Sequence, residues 1–457
     1  MLTIDFDYGT LLVSGDETAV QPVRQHLTYD ERIGRYRAAA HTYAAIIRRL
    51  HSAGLPFDDR ARDFVPQSFV FDAGLTPRPL QEQALVAWTN ANRSGVVVMP
   101  TGSGKSFLAM MAIAAVQRPA LVVVPTLDLM QQWARVLEAA FTTTVGMLGG
   151  GSKDIETLTV STYDSAVIMM EFIGNRFGLI VFDECHHLPG RVNRTAAAMS
   201  IAPYRLALTA TPERQDGGEA VLDALVGPIC FRRDIDELEG AILAPYETHR
   251  IELELDADEA DAYHRNRTIY IDFVRAYGIN FGSTNGWQQF TGLCARQPEG
   301  RDVFNAYLAQ KHIAAASHAK FRMIWELLQR HAGERILIFT ADNNTAYALG
   351  RYFIVPVITQ HTKVAERKMF LEKFRSGDFP VLVSSKVLNE GIDVPEASVG
   401  IVVSGSGSIR EHVQRLGRIL RPVIGKQAQL YELVSEGTSE YQVSDRRRQH
   451  RAYQRST

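Results

Sequence analysis

The chain has 457 residues, with 49 Lys plus Arg against 51 Asp plus Glu and a net charge of −2. Hydrophobic residues at 46% and charged residues at 22% exclude a disordered, collagen-like or coiled-coil protein, and the even charge balance excludes binding of polyanions by bulk charge. The three dispersed cysteines, Cys185, Cys230 and Cys294, form no CxxC pair, which excludes a zinc ribbon or a four-cysteine cluster and fits a reducing compartment.

The length suggests about three domains. Residues 2–6 and 10–14, apolar β-formers around Tyr8-Gly9, predict a hairpin. The spacing of Tyr36, Ala39, Ala40, Tyr43, Ile46, Ile47 and Leu50 predicts a helix from about Arg35 to Ala53, stopped by Gly54. Pro66 and the Pro77-Arg78-Pro79 stretch mark a boundary, so residues 1–74 read as a small α+β N-terminal domain. The opening MLTIDFDYGT lacks a basic segment and an apolar run, and the longest apolar helical stretch, Phe107 to Val116, is too short to span a bilayer. The expectation is a cytoplasmic protein, neither secreted nor membrane-bound.

From residue 80 short apolar strands alternate with helices. Strands are predicted at 96–99, 121–124, 157–160, 179–182 and 205–208. The rhythm restarts with strands at 335–339, 381–384 and 399–403 and helices at about 363–375 and 408–418. Such alternation predicts an α/β fold of two doubly wound parallel-sheet lobes, at 75–236 and 237–457. Between them, residues 237–261 hold nine acidic residues and an alternating run at Tyr246–Leu255 that reads as a strand. Residues 258–314 read as a helical insertion in the second lobe.

Three segments carry chemistry. Met99-Pro100-Thr101-Gly102-Ser103-Gly104-Lys105-Ser106 follows a predicted strand and opens a predicted helix, the setting of a phosphate-binding loop. Glycines let backbone N–H groups approach phosphate, Lys105 would reach the terminal phosphates, and Ser106 would hold Mg²⁺. Met99 stands where the strict pattern has Gly. Next, the strand Leu179–Phe182 delivers Asp183 and Glu184 at its C-terminal end. Asp183 suits Mg²⁺, and Glu184 suits orienting or deprotonating an attacking water. Cys185 reads as a packing residue, and His186 and His187 lack the spacing of a zinc site. Last, Arg415, Arg418 and Arg421 recur every three residues on one predicted helix, which could present an arginine finger to a phosphate or form a solvated basic face.

The order of these segments, with Ser161-Thr162-Tyr163, Leu208-Thr209-Ala210-Thr211 and Asn389-Glu390-Gly391-Ile392-Asp393-Val394-Pro395 between them, resembles a superfamily 2 helicase over residues 78–434. More narrowly, Thr159–Ala166, Asp183–Pro189 and Gly405-Ser406-Gly407-Ser408 resemble short archaeal-type members of the xeroderma pigmentosum group B helicase family.

That resemblance implies two RecA-like lobes with ATP between them, a damage-recognition-like N-terminal domain and a thumb-like insertion. It implies an ATP-dependent DNA helicase or translocase, 3′-to-5′, acting in repair on single-stranded, forked or double-stranded DNA. Gln81 and Arg78 would contact adenine, and Gly391, Asp393 and Gln414 the nucleotide. Arg418 and Arg421 would be the fingers. Thr209 and Thr211 would couple hydrolysis to lobe movement, as would Arg214 and Asp216. The family's Arg-Glu-Asp triplet corresponds here to Arg214-Gln215-Asp216, a departure that bears on strand separation. Thr126, Thr162, Thr340 and Ser385 would contact the nucleic-acid backbone, or cap helices. Three alternatives stay open: a double-stranded DNA translocase that unwinds weakly, an RNA helicase, and an inactive scaffold that binds DNA and recruits a nuclease. A grip built from hydroxyls, N–H groups and a few arginines predicts a modest salt dependence.

Overall fold

The structure is a computed structural model, and it describes residues 2–71, 74, 76–210, 218–233, 246–283, 285–385, 397–404 and 428–448. The chain divides into two compact units, Met1–Glu237 and Leu238–Thr457.

The first unit opens with a five-stranded sheet of β1 (Leu2–Asp7), β2 (Thr10–Ser14), β3 (Thr28–Asp30), β4 (Arg35–Ala39) and β5 (Phe57–Asp59), in the order β3-β4-β2-β1-β5. β1 and β2 form the antiparallel hairpin that their alternation predicts, turning at Tyr8 and Gly9, both with positive φ. Leu2, Ile4, Leu11 and Val13 point to one face and pack on Tyr43, Ile46 and Leu50 of the Tyr43–Ser52 helix. The expected helix from Arg35 is a correction. Residues 35–39 are strand β4, paired with β2 from Thr10↔Ala39 to Val13↔Tyr36, and helix begins only at Tyr43 after a tight turn at Ala40–Thr42. Tyr36 and Ala38 fit a period of two as well as Tyr36, Ala39 and Ala40 fit a helical stripe. Partnership with the open edge of β2 and β3 decides between them.

The second sheet contains β6 (Ser94–Val98), β7 (Ala120–Val124), β8 (Val145–Gly149), β9 (Ser152–Lys153), β10 (Leu158–Thr162), β11 (Leu179–Phe182), β12 (Tyr204–Thr209) and β13 (Ile229–Arg232). Its order is β13-β6-β12-β11-β7-β10-β8-β9, and every pairing except β8 with β9 is parallel. β7, β10 and β11 are buried along their whole lengths, as expected of strands covered on both faces. Because the strands other than β9 are parallel, their C-terminal ends lie on one edge. The two sheets of this unit share packing. Ile201 belongs to the core of the N-terminal sheet, Tyr8 meets Phe172 edge to face, and a Cβ on Gly9 would run into Met199 at 2.7 Å.

The second unit holds β14 (Tyr246–Leu253), β15 (Ile336–Phe339), β16 (Val357–Ile358), β17 (Val381–Ser384), β18 (Val399–Val402) and β19 (Ala428–Ser435), all parallel, in the order β14-β19-β18-β15-β17-β16. Between β14 and β15 stand the helices Ala257–Ala276, Gly286–Arg296 and Gly300–Ala315, with a core of their own at Phe273, Ile279, Phe290 and Val303. Lys320, fully buried, donates to the Val403 carbonyl and to Glu440 Oε2 at 2.6 Å each, tying the end of β18 to the Ser439–Arg448 helix. The fold class expected of the sequence, two parallel α/β lobes with a small α+β domain and a helical insertion, is the one observed.

Candidate active site

β6, β12 and β11 are neighbours, so the segments that leave their C-terminal ends meet at one place. The loop after β6 is the glycine-rich stretch. Gly102 and Gly104 have φ of 84° and 91°, which glycine adopts at low cost. A Cβ on Gly104 would also collide with the Gln81 amide. The helix Lys105–Val116 starts at once, so its free N–H groups open onto the loop. Ser103 Oγ donates to the Pro100 carbonyl at 2.7 Å and holds the loop's curl. Lys105 is buried, and Nζ donates to the Met99 carbonyl at 3.1 Å. Thr101 Oγ1 is buried without a hydrogen-bond partner among the described residues. Ser106 lies in the first turn of the helix.

Gln81 stands in the first turn of the Pro79–Asn90 helix. Its Oε1 accepts from the Arg78 backbone N–H at 2.9 Å, and its Nε2 donates to the Ser103 and Gly104 carbonyls at 3.3 Å each. It therefore joins the residues before that helix to the loop's backbone.

Asp183 and Glu184 follow β11. Asp183 N donates to the Val123 carbonyl, and Trp133 Nε1 donates to Asp183 Oδ2, both at 2.9 Å. The Glu184 N–H donates to Asp183 Oδ1 at 3.0 Å, and Tyr163 Oη donates to the Asp183 carbonyl at 3.1 Å. Burial first, and then the charge of Glu184, push the Asp183 carboxyl up to about 6; Lys105 and the Trp133 donor pull the other way. Glu184 has φ of 46°, a left-handed conformation that a residue with a Cβ adopts only under constraint. That twist lets one strand end aim two successive carboxylates differently. Cys185 is fully buried, and burial raises its thiol above the ordinary range, consistent with packing.

β12, between the loop strand and the carboxylate strand, ends at Thr209. The Thr209 carbonyl accepts from Met99 N at 3.0 Å, and His186 Nδ1 lies 3.4 Å from Thr209 Oγ1 and 3.4 Å from Glu184 Oε2. The structure thus brings together Gln81, Thr101 to Ser106, Asp183, Glu184 and Thr209. Trp133, Tyr163 and His186 join them and were not singled out as site residues in the sequence. Only the DECH spelling hints at His186. Trp133 reads there as one position of an apolar stripe.

Thr126 lies beyond the end of β7 and Thr162 is the last residue of β10; both cap helices, each hydroxyl accepting an N–H three residues on at 3.3 Å. Thr340 and Ser385 follow β15 and β17 and are buried. Thr340 Oγ1 donates to the Asp342 carbonyl at 2.9 Å, and Ser385 N donates to the Ile358 carbonyl at 3.2 Å. Thr211, Arg214, Gln215, Asp216, Gly391, Asp393, Gln414, Arg415, Arg418 and Arg421 lie outside the described residues.

Comparison with known proteins follows the same division of the chain. Residues 4–61 match the xeroderma pigmentosum group B helicase damage recognition domain, residues 74–214 the type III restriction enzyme res subunit, and residues 301–455 the ERCC3/RAD25/XPB C-terminal helicase. The chain is 36% identical to the DNA 3′-5′ translocase XPB2 of Sulfurisphaera tokodaii over 423 residues, covering 93% of this chain and 96% of the relative. It is 31% identical to the putative DNA 3′-5′ helicase Rad25 of Halobacterium salinarum over 90% of this chain, but spans only 63% of that relative's length. Among solved structures, the Pyrococcus furiosus Hef helicase domain matches with a TM-score of 0.53 at 18% identity, covering 81% of this chain and 98% of that one. Saccharomyces cerevisiae Dbp5 bound to RNA and ADP BeF3 matches with a TM-score of 0.57 at 15% identity, over 84% of this chain and 89% of that one. These two likenesses concern the fold. With a 36% identical relative matched almost end to end, the chain belongs to the XPB helicase family.

Proposed function

We propose that the chain is an ATP- and Mg²⁺-dependent DNA motor, a 3′-5′ helicase or translocase that serves DNA repair. One observation carries the catalytic half of this reading: the loop before the Lys105 helix and the Asp183–Glu184 pair sit on adjacent parts of one sheet edge, bridged through β12. In this reading the backbone N–H groups of Gly102 to Ser106 cradle the phosphates, and Lys105 leaves the Met99 carbonyl for the terminal ones. The unpartnered Thr101 hydroxyl and the open glycine backbone fit an anionic ligand with many acceptor oxygens. Ser106 Oγ and the Asp183 carboxylate would hold Mg²⁺, which when bound offsets the charge on the phosphate oxygens. Glu184 orients the attacking water and draws its proton. Gln81 and Arg78 serve the adenine side. Thr209, Thr211, Arg214 and Asp216 carry the coupling role, Gly391, Asp393 and Gln414 contact nucleotide, and Arg418 and Arg421 supply cations to the phosphate. Thr126, Thr162, Thr340 and Ser385 are read as backbone contacts to DNA; the first two also cap helices, and the Thr162 hydroxyl donates to Ser165 Oγ at 3.0 Å.

The DNA half of the reading rests on the relatives, which are named DNA 3′-5′ helicases or translocases. A second reading, translocation on duplex DNA with weak unwinding, is favoured by Gln215, which stands where the family has Glu. A relative matched over 96% of its length is named a translocase. Among the described residues no helix is long and apolar enough to cross a membrane.

Phosphate release measured with single-stranded, double-stranded and forked DNA and with RNA tests the proposal. Stimulation by DNA over RNA is expected. Equal or greater stimulation by RNA would make the chain an RNA motor, and no release with any of them would leave a scaffold, the class that would work by recruiting a nuclease.

A further inference from the structure

A cavity of about 650 Å³ opens in the second unit between the Gly300–Ala315 and Asn343–Phe353 helices, lined by His312, Asn344, Tyr347, Ala348 and Arg351. Four of these residues recur at i, i+3, i+4 and i+7 and form one stripe of the Asn343–Phe353 helix. The opposite stripe, Thr345, Ala346 and Leu349, is buried against the sheet. The cavity stripe is therefore not needed for packing, and its chemistry is one-sided. It offers a guanidinium, an amide and, across the cavity, an imidazole. None of the lining residues is acidic, and the helix sequence NNTAYALGRYF contains no carboxylate.

Tyr347 is held in a defined pose. Its hydroxyl shares a hydrogen bond of 2.8 Å with Thr359 Oγ1, and Thr359 is fully buried. Tyr347 as a whole is 40% exposed. An aromatic flank anchored at its polar tip and left partly exposed is suited to stacking. The volume falls within the ~300–1,000 Å³ range of sites for small ligands. A guanidinium with no lining carboxylate beside it favours an anionic ligand over a basic peptide.

We infer that this cavity holds one nucleotide unit of a single-stranded polynucleotide, with Arg351 and His312 on the phosphate and the Tyr347 ring against the base. The inference deepens the proposed motor function by naming a contact that none of the sequence motifs contains, and it rests on that reading. An acidic protein segment would use the same cations but would gain little from the ring.

The test is binding of a fluorescein-labelled oligothymidylate to the full chain without ATP, followed by anisotropy between about 50 and 200 mM salt. R351A is expected to weaken binding about five- to tenfold and to reduce the log–log salt slope by about 0.7, the loss of one phosphate contact on a single strand. Y347A is expected to weaken binding about tenfold with the slope unchanged, and Y347F, which keeps the ring, to stay within about twofold of wild type. Unchanged affinity and slope in R351A and Y347A would overturn the inference. So would Y347F as damaging as Y347A, which would reduce Tyr347 to an anchor for Thr359, or R351A abolishing capture of a polyglutamate peptide while leaving the oligonucleotide untouched. Because binding is read without ATP, a chain that failed to hydrolyse ATP would sink the motor and still leave this measurement to decide the cavity.

Discussion

His186 Nδ1 stands 3.4 Å from Thr209 Oγ1, at the end of the strand that separates the phosphate-loop strand from the carboxylate strand. The same nitrogen lies 3.4 Å from Glu184 Oε2. One buried imidazole therefore spans from the residue proposed to activate water to the residue proposed to transmit its consequence. H186A should leave nucleotide binding intact and reduce the DNA stimulation of ATP hydrolysis about two- to thirtyfold, the effect of a 0.5–2 kcal/mol change in coupling. H186N, whose amide nitrogen overlays Nδ1, should recover part of it. Parallel titrations of ATP and DNA separate the two effects. A loss confined to the KM for ATP would make His186 a packing residue only.

Asp183 is held at a cost to the fold. Its carboxyl is raised from 3.8 to about 6, by burial first and Glu184 second. A carboxyl with a folded pKa above its unfolded one gives up its proton more readily in the unfolded chain, so stability falls as pH rises from about 4 to about 6. D183N keeps the shape and an acceptor for Trp133 and removes the buried charge, at the loss of the oxygen that accepts from the Glu184 N–H. At pH 7, without nucleotide or metal, it should be more stable than wild type by about 1–3 kcal/mol, and the gain should fade below about pH 4. Thermal midpoints across that range check the sign. A variant less stable than wild type at pH 7 would contradict it.

Ile201 belongs to the first lobe in sequence and to the N-terminal sheet's core in space. I201A should cost about 2–4 kcal/mol and shift the unfolding of residues 1–61 and of the first lobe together. Calorimetry of the full chain reads this. Two transitions in the first unit, of which only one moves, would show that the shared packing does not couple the two sheets.

Legibility in the sequence followed the range of the interactions. Strands such as β7 and β11 are visible because burial on both faces demands an unbroken apolar run. The phosphate loop is visible because its glycines, lysine and serine act within eight consecutive residues. β19 was missed because Gln429 and Glu432 interrupt its apolar run, although it lies inside the second sheet between β14 and β18. The stretch from Arg35 was misread because two periods fit it, and the deciding partner, β2, is more than twenty residues away in sequence. Trp133 reaches the Asp183 carboxylate and Tyr163 the Asp183 backbone carbonyl through long-range contacts that no local pattern encodes.

DNA-stimulated phosphate release by wild type, K105A and E184Q, each at saturating ATP and Mg²⁺ with forked DNA, tests whether the Lys105 loop and the Asp183–Glu184 pair form the hydrolytic site. Wild type should be stimulated. K105A should lose about a hundredfold or more of the stimulated rate by losing charge at the transferring phosphate, and E184Q should lose a similar factor while still binding nucleotide. Full DNA-stimulated hydrolysis in K105A would contradict the assignment of this site.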